Sequence, residues 1–182
     1  MIKLDVGKVA KVKGKPCVYI TGEKLRNNED ISRFIEDIVS IEFKNIVVDC
    51  WKITDNSNLV SAIRDLAEAR YSITYITTCD DDIFPLKNQK RVDFILNTVL
   101  PDKDSNNINM QSFQLLADND SLFFKVKNIS DVTMICDFLN KSKLLRPEIY
   151  LNLTPSVASN IWEVLEILKP HQSFKFNIDF IN

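Results

Sequence analysis

The sequence predicts an α/β protein in which repeated βα units form a partial, open TIM-like barrel with mainly parallel strands. Short runs rich in β-branched and aromatic residues alternate along the chain with segments whose apolar residues recur at helical spacing. Strands that alternate with helices form right-handed βαβ units, and these units place the strands parallel. The strand-like runs number seven, fewer than the eight that close a TIM barrel, so we expect an open sheet.

The predicted strands and helices follow one another along the whole chain. The strands are Cys17–Ile20, Asn45–Asp49, Ser72–Thr77, Val92–Val99, Leu122–Val126, Glu148–Leu153 and Phe174–Phe180. Four helical faces lie between them: Ile31, Phe34, Ile35, Ile38 and Val39; Leu59, Ile63, Leu66 and Ala67; Val132, Ile135, Phe138 and Leu139; and Val157, Ile161, Val164, Leu165 and Leu168. We expect Trp162, within the last segment, to lie partly in the core. No linker-like stretch divides the chain, so residues 1–182 are predicted to form a single α/β domain.

Composition is that of an ordinary globular protein. Hydrophobic residues make up 45% of the chain and charged residues 26%, enough to bury a core without disulfides or a structural metal. The net charge of -2 gives no overall attraction to nucleic acid or to an anionic membrane. The first 26 residues are locally basic, and a solvated strand or hairpin face is the simplest explanation. No apolar stretch is long enough for a membrane span or resembles a signal segment, so we expect a cytoplasmic protein with no membrane partner.

The cysteine pattern argues against a disulfide framework and against a structural zinc site. The four cysteines are Cys17, Cys50, Cys79 and Cys136, and no two of them form a C-x-x-C pair. Structural zinc sites normally contain at least one such close pair. We therefore expect free thiols and no bound metal.

Several stretches match, in order, the motifs of a known enzyme family. Gly14–Thr21 reads G-K-P-C-V-Y-I-T, Gly22–Asn27 reads G-E-K-L-R-N, Val92–Ile95 reads V-D-F-I and Asp120–Val126 reads D-S-L-F-F-K-V. They resemble the G-x-P-x-V-F-[IV]-R, G-C-N-L-R-C, V-D-W-I and D-E-L-K-F-V-V motifs of the 7-carboxy-7-deazaguanine synthases. These are radical S-adenosylmethionine enzymes, so the resemblance implies a partial-barrel fold.

The residues that carry the chemistry of that family are replaced in this chain. The family's two cysteines within G-C-N-L-R-C correspond to Glu23 and Asn27, and the third falls near Asp30. Asp49–Ile53 occupies the place of the T-G-G-E-P motif, and none of those five letters remains. An iron–sulfur cluster of this type needs closely spaced thiolates, for which oxygen donors are poor substitutes. We therefore expect no cofactor, and we predict that radical S-adenosylmethionine activity is absent.

Candidate binding residues are those that follow the predicted strands, because ligands of open α/β sheets sit at the carboxyl ends of the strands. They are Glu23, Asp49, Cys50, Trp51, Lys52, Thr78, Cys79 and Asp80. Trp51 either plugs the cleft or stacks on a planar ligand. Asp80–Asp82 offers carboxylates to Mg²⁺, but residues adjacent in sequence seldom converge on one ion, so an acidic turn is favoured and no metal site is predicted.

Three functions remain open from the sequence. The first is a non-redox, cluster-free relative of a radical S-adenosylmethionine enzyme that acts as a binding or regulatory protein. Its partner, a protein or a small molecule, is unknown. The second is an enzyme of another type, with strand-end carboxylates such as Asp49, Glu23 and Asp80 acting on a small polar or nucleobase-like ligand.

The third is an anti-sigma-antagonist-like interaction domain, because Asp55–Leu59 is loosely similar to the D-S-S-G-L loop of that class. On balance we expect a protein that is not an enzyme and does not bind nucleic acid. The sequence leaves the oligomeric state open, a homodimer included.

Overall fold

The structure is a computed structural model that describes residues 9–12, 15–21, 28–40, 43–49, 53, 57–98, 108–142, 146–171 and 174–178. It confirms the predicted α/β class, with seven parallel strands alternating with helices in an open sheet that is not closed into a barrel. The strands are β1 Val9–Val12, β2 Lys15–Thr21, β3 Asn45–Asp49, β4 Ser72–Thr78, β5 Val92–Thr98, β6 Ser121–Val126, β7 Glu148–Leu153 and β8 Phe174–Ile178. The helices are α1 Asn28–Ser40, α2 Ser57–Glu68, α3 Phe84–Lys87, α4 Met110–Leu115, α5 Ile129–Ser142, α6 Pro155–Ala158 and α7 Ile161–Leu168. The strands follow one another in the sheet in chain order.

All seven predicted strands are present, and one further strand, β1, precedes them. β1 pairs antiparallel with β2, with Val9 opposite Val18 and Val12 opposite Lys15. Two antiparallel strands therefore lie within the basic amino-terminal segment. Within the described residues, no helix combines the length and the hydrophobicity needed to cross a membrane.

The chain divides into two compact units, Met1–Phe94 and Ile95–Asn182. In the first unit, β2, β3 and β4 are parallel and in register, with Ile46 opposite Ile73 and Val48 opposite Tyr75. These four side chains are buried. On β4 the intervening residues Thr74 and Ile76 are half-buried, an alternation typical of a strand with one face covered by helices. On β3 the intervening Val47 is buried as well. α2 buries an apolar stripe of Leu59, Val60, Ala62, Ile63, Leu66 and Ala67.

In the second unit, the core lies between β6, β7 and the helices α4 and α5. Leu122, Phe124 and Leu151 are fully buried. The Phe138 ring of α5 meets the Phe124 ring edge-on, with 6.3 Å between the ring centroids. Each large apolar side chain buried in this way contributes about 1.5–3 kcal/mol. The second unit therefore has an aromatic core of its own beneath one face of its strands.

The last predicted helix is interrupted. α6 ends at Ala158 and α7 begins at Ile161. Ser159 Oγ and Asn160 Nδ2 both donate to the Ser156 carbonyl oxygen, at 2.8 Å and 3.2 Å. Side chains of this kind compete with the helical hydrogen bonds of the backbone, which explains the break.

The expectation that Trp162 lies partly in the core is wrong. Its side chain is 79% exposed. α7 turns Val164 and Leu168 inward, and a residue two positions before Val164 lies on the opposite side of a helix. Trp162 therefore faces solvent.

Candidate functional site

The carboxyl ends of β2, β3 and β4 lie side by side in the first unit. Thr21 pairs with Asp49, and Asp49 pairs with Ile76. Four of the eight predicted site residues are described and lie at or just beyond these ends: Asp49, Thr78, Cys79 and Asp80. The other four, Glu23, Cys50, Trp51 and Lys52, lie outside the described residues.

Asp49 is held by a tyrosine from the neighbouring strand. The phenolic hydroxyl of Tyr19 donates a short hydrogen bond to Asp49 Oδ2. Tyr19 lies opposite Val47, two residues before Asp49, so both side chains project from the same face of the sheet. Both residues are half-buried. This pair was not predicted, because the Tyr19 contact depends on the register between two strands.

The tyrosine in this pair is a proton donor rather than a base. Burial raises the pKa of Tyr19 above its ordinary value, and the hydrogen bond to Asp49 and the nearby negative charge raise it further. The phenol therefore stays protonated at neutral pH and orients the carboxylate of Asp49. A carboxylate fixed in this way is suited to accept hydrogen bonds from a ligand or to attract a cation.

A buried carboxylate that the sequence reasoning did not select, Asp81, organises the adjoining loop. Asp81 is 1% exposed. Its Oδ2 accepts hydrogen bonds from the Ile53 backbone N–H at 2.6 Å and from Thr77 Oγ1 at 2.7 Å. Asp81 therefore ties the end of β4 to the segment that follows β3. The sequence predicts Asp80 rather than Asp81 as a site residue, because the contact of Asp81 with Ile53 joins residues 28 positions apart.

The other two carboxylates of the Asp80–Asp82 run make local bonds. Asp80 Oδ1 accepts from Thr78 Oγ1 at 2.5 Å, and Asp82 Oδ1 accepts from the Phe84 N–H at 3.0 Å. Asp80 and Asp82 thus form hydrogen bonds within one turn, as expected of an acidic turn, whereas Asp81 also bonds to Ile53 outside it. In the part of the chain that the structure describes, no three side chains of His, Cys, Asp or Glu come together as a metal site.

The described cysteines are distributed over separate elements. Cys17 is buried on β2, Cys79 is half-buried after β4, and Cys136 is buried on α5. None of the three forms a disulfide bond. Burial raises the pKa of the Cys136 thiol, and the charge of Asp137 adds to the shift. A thiol with a raised pKa is a poor nucleophile, so Cys136 fits a structural role.

A second arrangement of polar and aromatic side chains lies on the second unit. One row of in-register residues runs across four strands: Asn97 on β5, Phe123 on β6, Tyr150 on β7 and Lys175 on β8. We call these four residues the cross-strand row. The Phe123 and Tyr150 rings stack with centroids 4.5 Å apart and 10° between their planes. Lys175 Nζ lies 5.4 Å from the centroid of the Tyr150 ring.

Glu148 fixes one end of this row. Its Oε1 lies 2.6 Å from Lys175 Nζ, and its Oε2 accepts a hydrogen bond from the Tyr150 hydroxyl at 2.9 Å. Burial raises the pKa of Tyr150, and Glu148 raises it further through its hydrogen bond and its charge. The hydrogen bond to Glu148 likewise raises the pKa of Lys175. The lysine therefore stays charged, and Glu148 neutralises it.

Lys125 lies two residues beyond Phe123 on the same face and is exposed. No hydrogen bond or ion pair joins its ammonium group to a described residue. The surface formed by the cross-strand row and Lys125 is not predictable from the sequence, because its residues come from four separate strands and only the pairing register brings them together.

Two buried hydroxyls have no hydrogen-bond partner in the described part of the chain: Thr98 Oγ1 and Ser121 Oγ. An unsatisfied buried polar group costs about 1–3 kcal/mol. Thr98 ends β5 and Ser121 begins β6, so the two hydroxyls lie near opposite ends of paired strands. They do not form a common site.

Comparison of the chain with protein-family models, with curated proteins and with solved structures gave no match.

Proposed function

We propose that this protein is a non-redox, cluster-free relative of the radical S-adenosylmethionine enzymes that acts as a binding protein. Its ligand is a small polar molecule with hydrogen-bond donors or a positive charge, and it contacts Asp49 at the carboxyl ends of β2–β4. The observation that carries this proposal is the hydrogen bond from Tyr19 to Asp49. It presents a half-buried, oriented carboxylate at the edge of a parallel sheet where ligands of α/β proteins usually bind.

Binding is supported better than acid–base catalysis. The enzyme hypothesis relies on Asp49, Glu23 and Asp80 as proton-transfer groups, of which Glu23 lies outside the described residues. Asp80 accepts a hydrogen bond from Thr78 within its own turn, and Tyr19 keeps its proton because its pKa is raised. A general base needs a pKa near the working pH, which Tyr19 does not have.

The positions of the thiols support the cluster-free part of the proposal. Three cysteines must approach one another closely to hold three irons of a cluster. No two cysteines of the chain lie within three residues of each other in the sequence.

A thermal-shift screen tests the binding site. The panel contains S-adenosylmethionine, free nucleobases, small amines and divalent metal ions, and each is tested on the wild-type chain and on Asp49→Asn. We expect at least one compound to raise the Tm of the wild type and to lose its effect on Asp49→Asn. Glu68→Gln, which removes an exposed carboxylate from α2 in the same unit, is the matched control and should respond as the wild type does. An equal response of Asp49→Asn, or no response to the whole panel, would contradict the proposal.

A further inference from the structure

The spacing of the cross-strand row is that of a stack of aromatic rings. Neighbouring strands of a sheet lie about 4.7–4.9 Å apart. Side chains in one cross-strand row are therefore spaced by nearly the distance between the centroids of two stacked rings. The 4.5 Å between the Phe123 and Tyr150 centroids, with almost parallel planes, shows that this row uses that spacing. Each further position in the row can therefore hold one more ring at stacking distance.

Asn97 occupies the next position of the row, on the other side of Phe123 from Tyr150. It is exposed, and Phe123 is only half-buried. An asparagine side chain is short, so it does not fill a position of ring height. Among the described residues, the ring contact of Phe123 is with Tyr150 on one side, so a further ring that stacks on Phe123 would take the side next to Asn97.

The polar groups next to Phe123 indicate which kind of ligand would bind there. An asparagine amide offers one donor and one acceptor side by side, which matches the edge of a purine such as adenine. Lys125 supplies an exposed positive charge two residues along β6 from Phe123. Lys175, on the same face, is already neutralised by Glu148 at 2.6 Å. Of these two lysines, Lys125 is therefore the one that forms no ion pair with a described residue.

We propose that Asn97, Phe123 and Lys125 bind a small planar heteroaromatic ligand that carries an anionic group. The ring stacks on Phe123, its edge forms hydrogen bonds with the Asn97 amide, and the anion pairs with Lys125. This site is separate from the one proposed around Asp49, and neither proposal depends on the other. Within the described residues, a single ring position beside a single lysine without an ion pair fits one nucleotide-sized molecule better than a nucleic-acid strand, which needs a series of both.

Calorimetric titration with adenosine 5′-monophosphate, adenosine and ribose 5-phosphate tests the proposal, because these probes separate the ring from the anion. We expect adenosine 5′-monophosphate to bind, adenosine to bind more weakly and ribose 5-phosphate to give no detectable heat. Lys125→Met should weaken the binding of adenosine 5′-monophosphate about tenfold and leave that of adenosine unchanged. Phe123→Leu should weaken both by about tenfold, since stacking on an aromatic ring is lost.

Lys141→Met is the matched control, because it removes an exposed lysine from α5 of the same unit. It should leave the binding of every probe unchanged. Near-ultraviolet circular dichroism of each variant checks that the fold is kept. If Phe123→Leu unfolds, the comparison of Lys125→Met with the wild type still tests the proposal. The proposal is overturned if adenosine 5′-monophosphate does not bind at millimolar concentration, or if Lys125→Met and Phe123→Leu both bind it as the wild type does. Tighter binding of an oligoadenylate than of the mononucleotide would also overturn it and assign the surface to single-stranded nucleic acid.

Discussion

Tyr19 donates a hydrogen bond to Asp49 across 30 positions of the chain. The parallel pairing of β2 with β3 brings the two together, since Tyr19 lies opposite Val47 and Asp49 projects from the same face two residues later. The phenol is held in its protonated form because burial and the carboxylate both raise its pKa. One contact thus defines the orientation of the carboxylate on which the proposed binding site depends.

The Tyr19→Phe variant should be less stable than the wild type by about 1 kcal/mol at neutral pH, because one hydrogen bond to a charged group is lost. The difference should shrink above about pH 10, where the unfolded tyrosine releases its proton and the folded one, with its raised pKa, does not. The unfolded chain then binds fewer protons than the folded chain, so the stability of the wild type falls as the pH rises. Urea unfolding of both proteins at neutral and at alkaline pH measures this difference in the free energy of unfolding. If the difference is the same at both pH values, the pKa of Tyr19 is not raised.

Asp81→Ala should lower the free energy of unfolding by about 3 kcal/mol, because the buried Ile53 N–H and Thr77 hydroxyl both lose their acceptor. Asp80→Ala, one residue away, removes the bond from the exposed Thr78 and should cost less, about 1 kcal/mol. Chemical denaturation of the two variants checks the contrast. Equal losses would mean that Asp81 has no special role in joining β4 to the segment after β3.

Thr98→Val should raise the free energy of unfolding by about 1 kcal/mol, because it replaces a buried hydroxyl that has no partner among the described residues by a methyl group of similar size. Thr77→Val is the matched control, since the Thr77 hydroxyl donates to Asp81 at 2.7 Å. That substitution should lower stability by a similar amount. If Thr98→Val also destabilises the protein, the Thr98 hydroxyl must have a partner such as a bound water.

Glu148→Gln should lower the pKa of Tyr150 toward its ordinary value, because the negative charge that holds the phenolic proton is removed. Phenolate absorbance followed through an alkaline titration reports this pKa, and the same titration of Tyr150→Phe identifies which step belongs to Tyr150. The stability change should be small, since the ion pair with Lys175 is largely exposed. A Tyr150 pKa that is unchanged in Glu148→Gln would leave burial as the whole cause of the shift.

The positions of the strands can be predicted from the sequence, because each strand is marked by its own short run of β-branched and aromatic residues. Asn45–Asp49 and Glu148–Leu153 match the predicted bounds residue for residue. β1 was not predicted, since the four-residue run Val9–Val12 contains a lysine and an alanine and is stabilised by pairing with β2. The break between α6 and α7 was missed because helical periodicity continues through Ser159 and Asn160 although their side chains end the helix.

The site was predictable only in part, since sequence places residues on strands but does not give the register between them. Asp49, Thr78, Cys79 and Asp80 were found from their positions after strands. Tyr19 and Phe123 lie within strands, and their contacts with Asp49 and Tyr150 exist only once the strands are paired. Glu23 and Asn27, on which the resemblance to the cluster loop depends, lie outside the described residues, so that resemblance stays a prediction.

Anaerobic reconstitution with iron and sulfide, followed by iron analysis and an absorption spectrum, tests the proposed function most directly. A cluster-free protein should retain iron far below one atom per chain and show no cluster absorption band. About three or four irons per chain together with a cluster band would contradict the proposal, because a cluster of that size requires protein ligands this chain is proposed to lack.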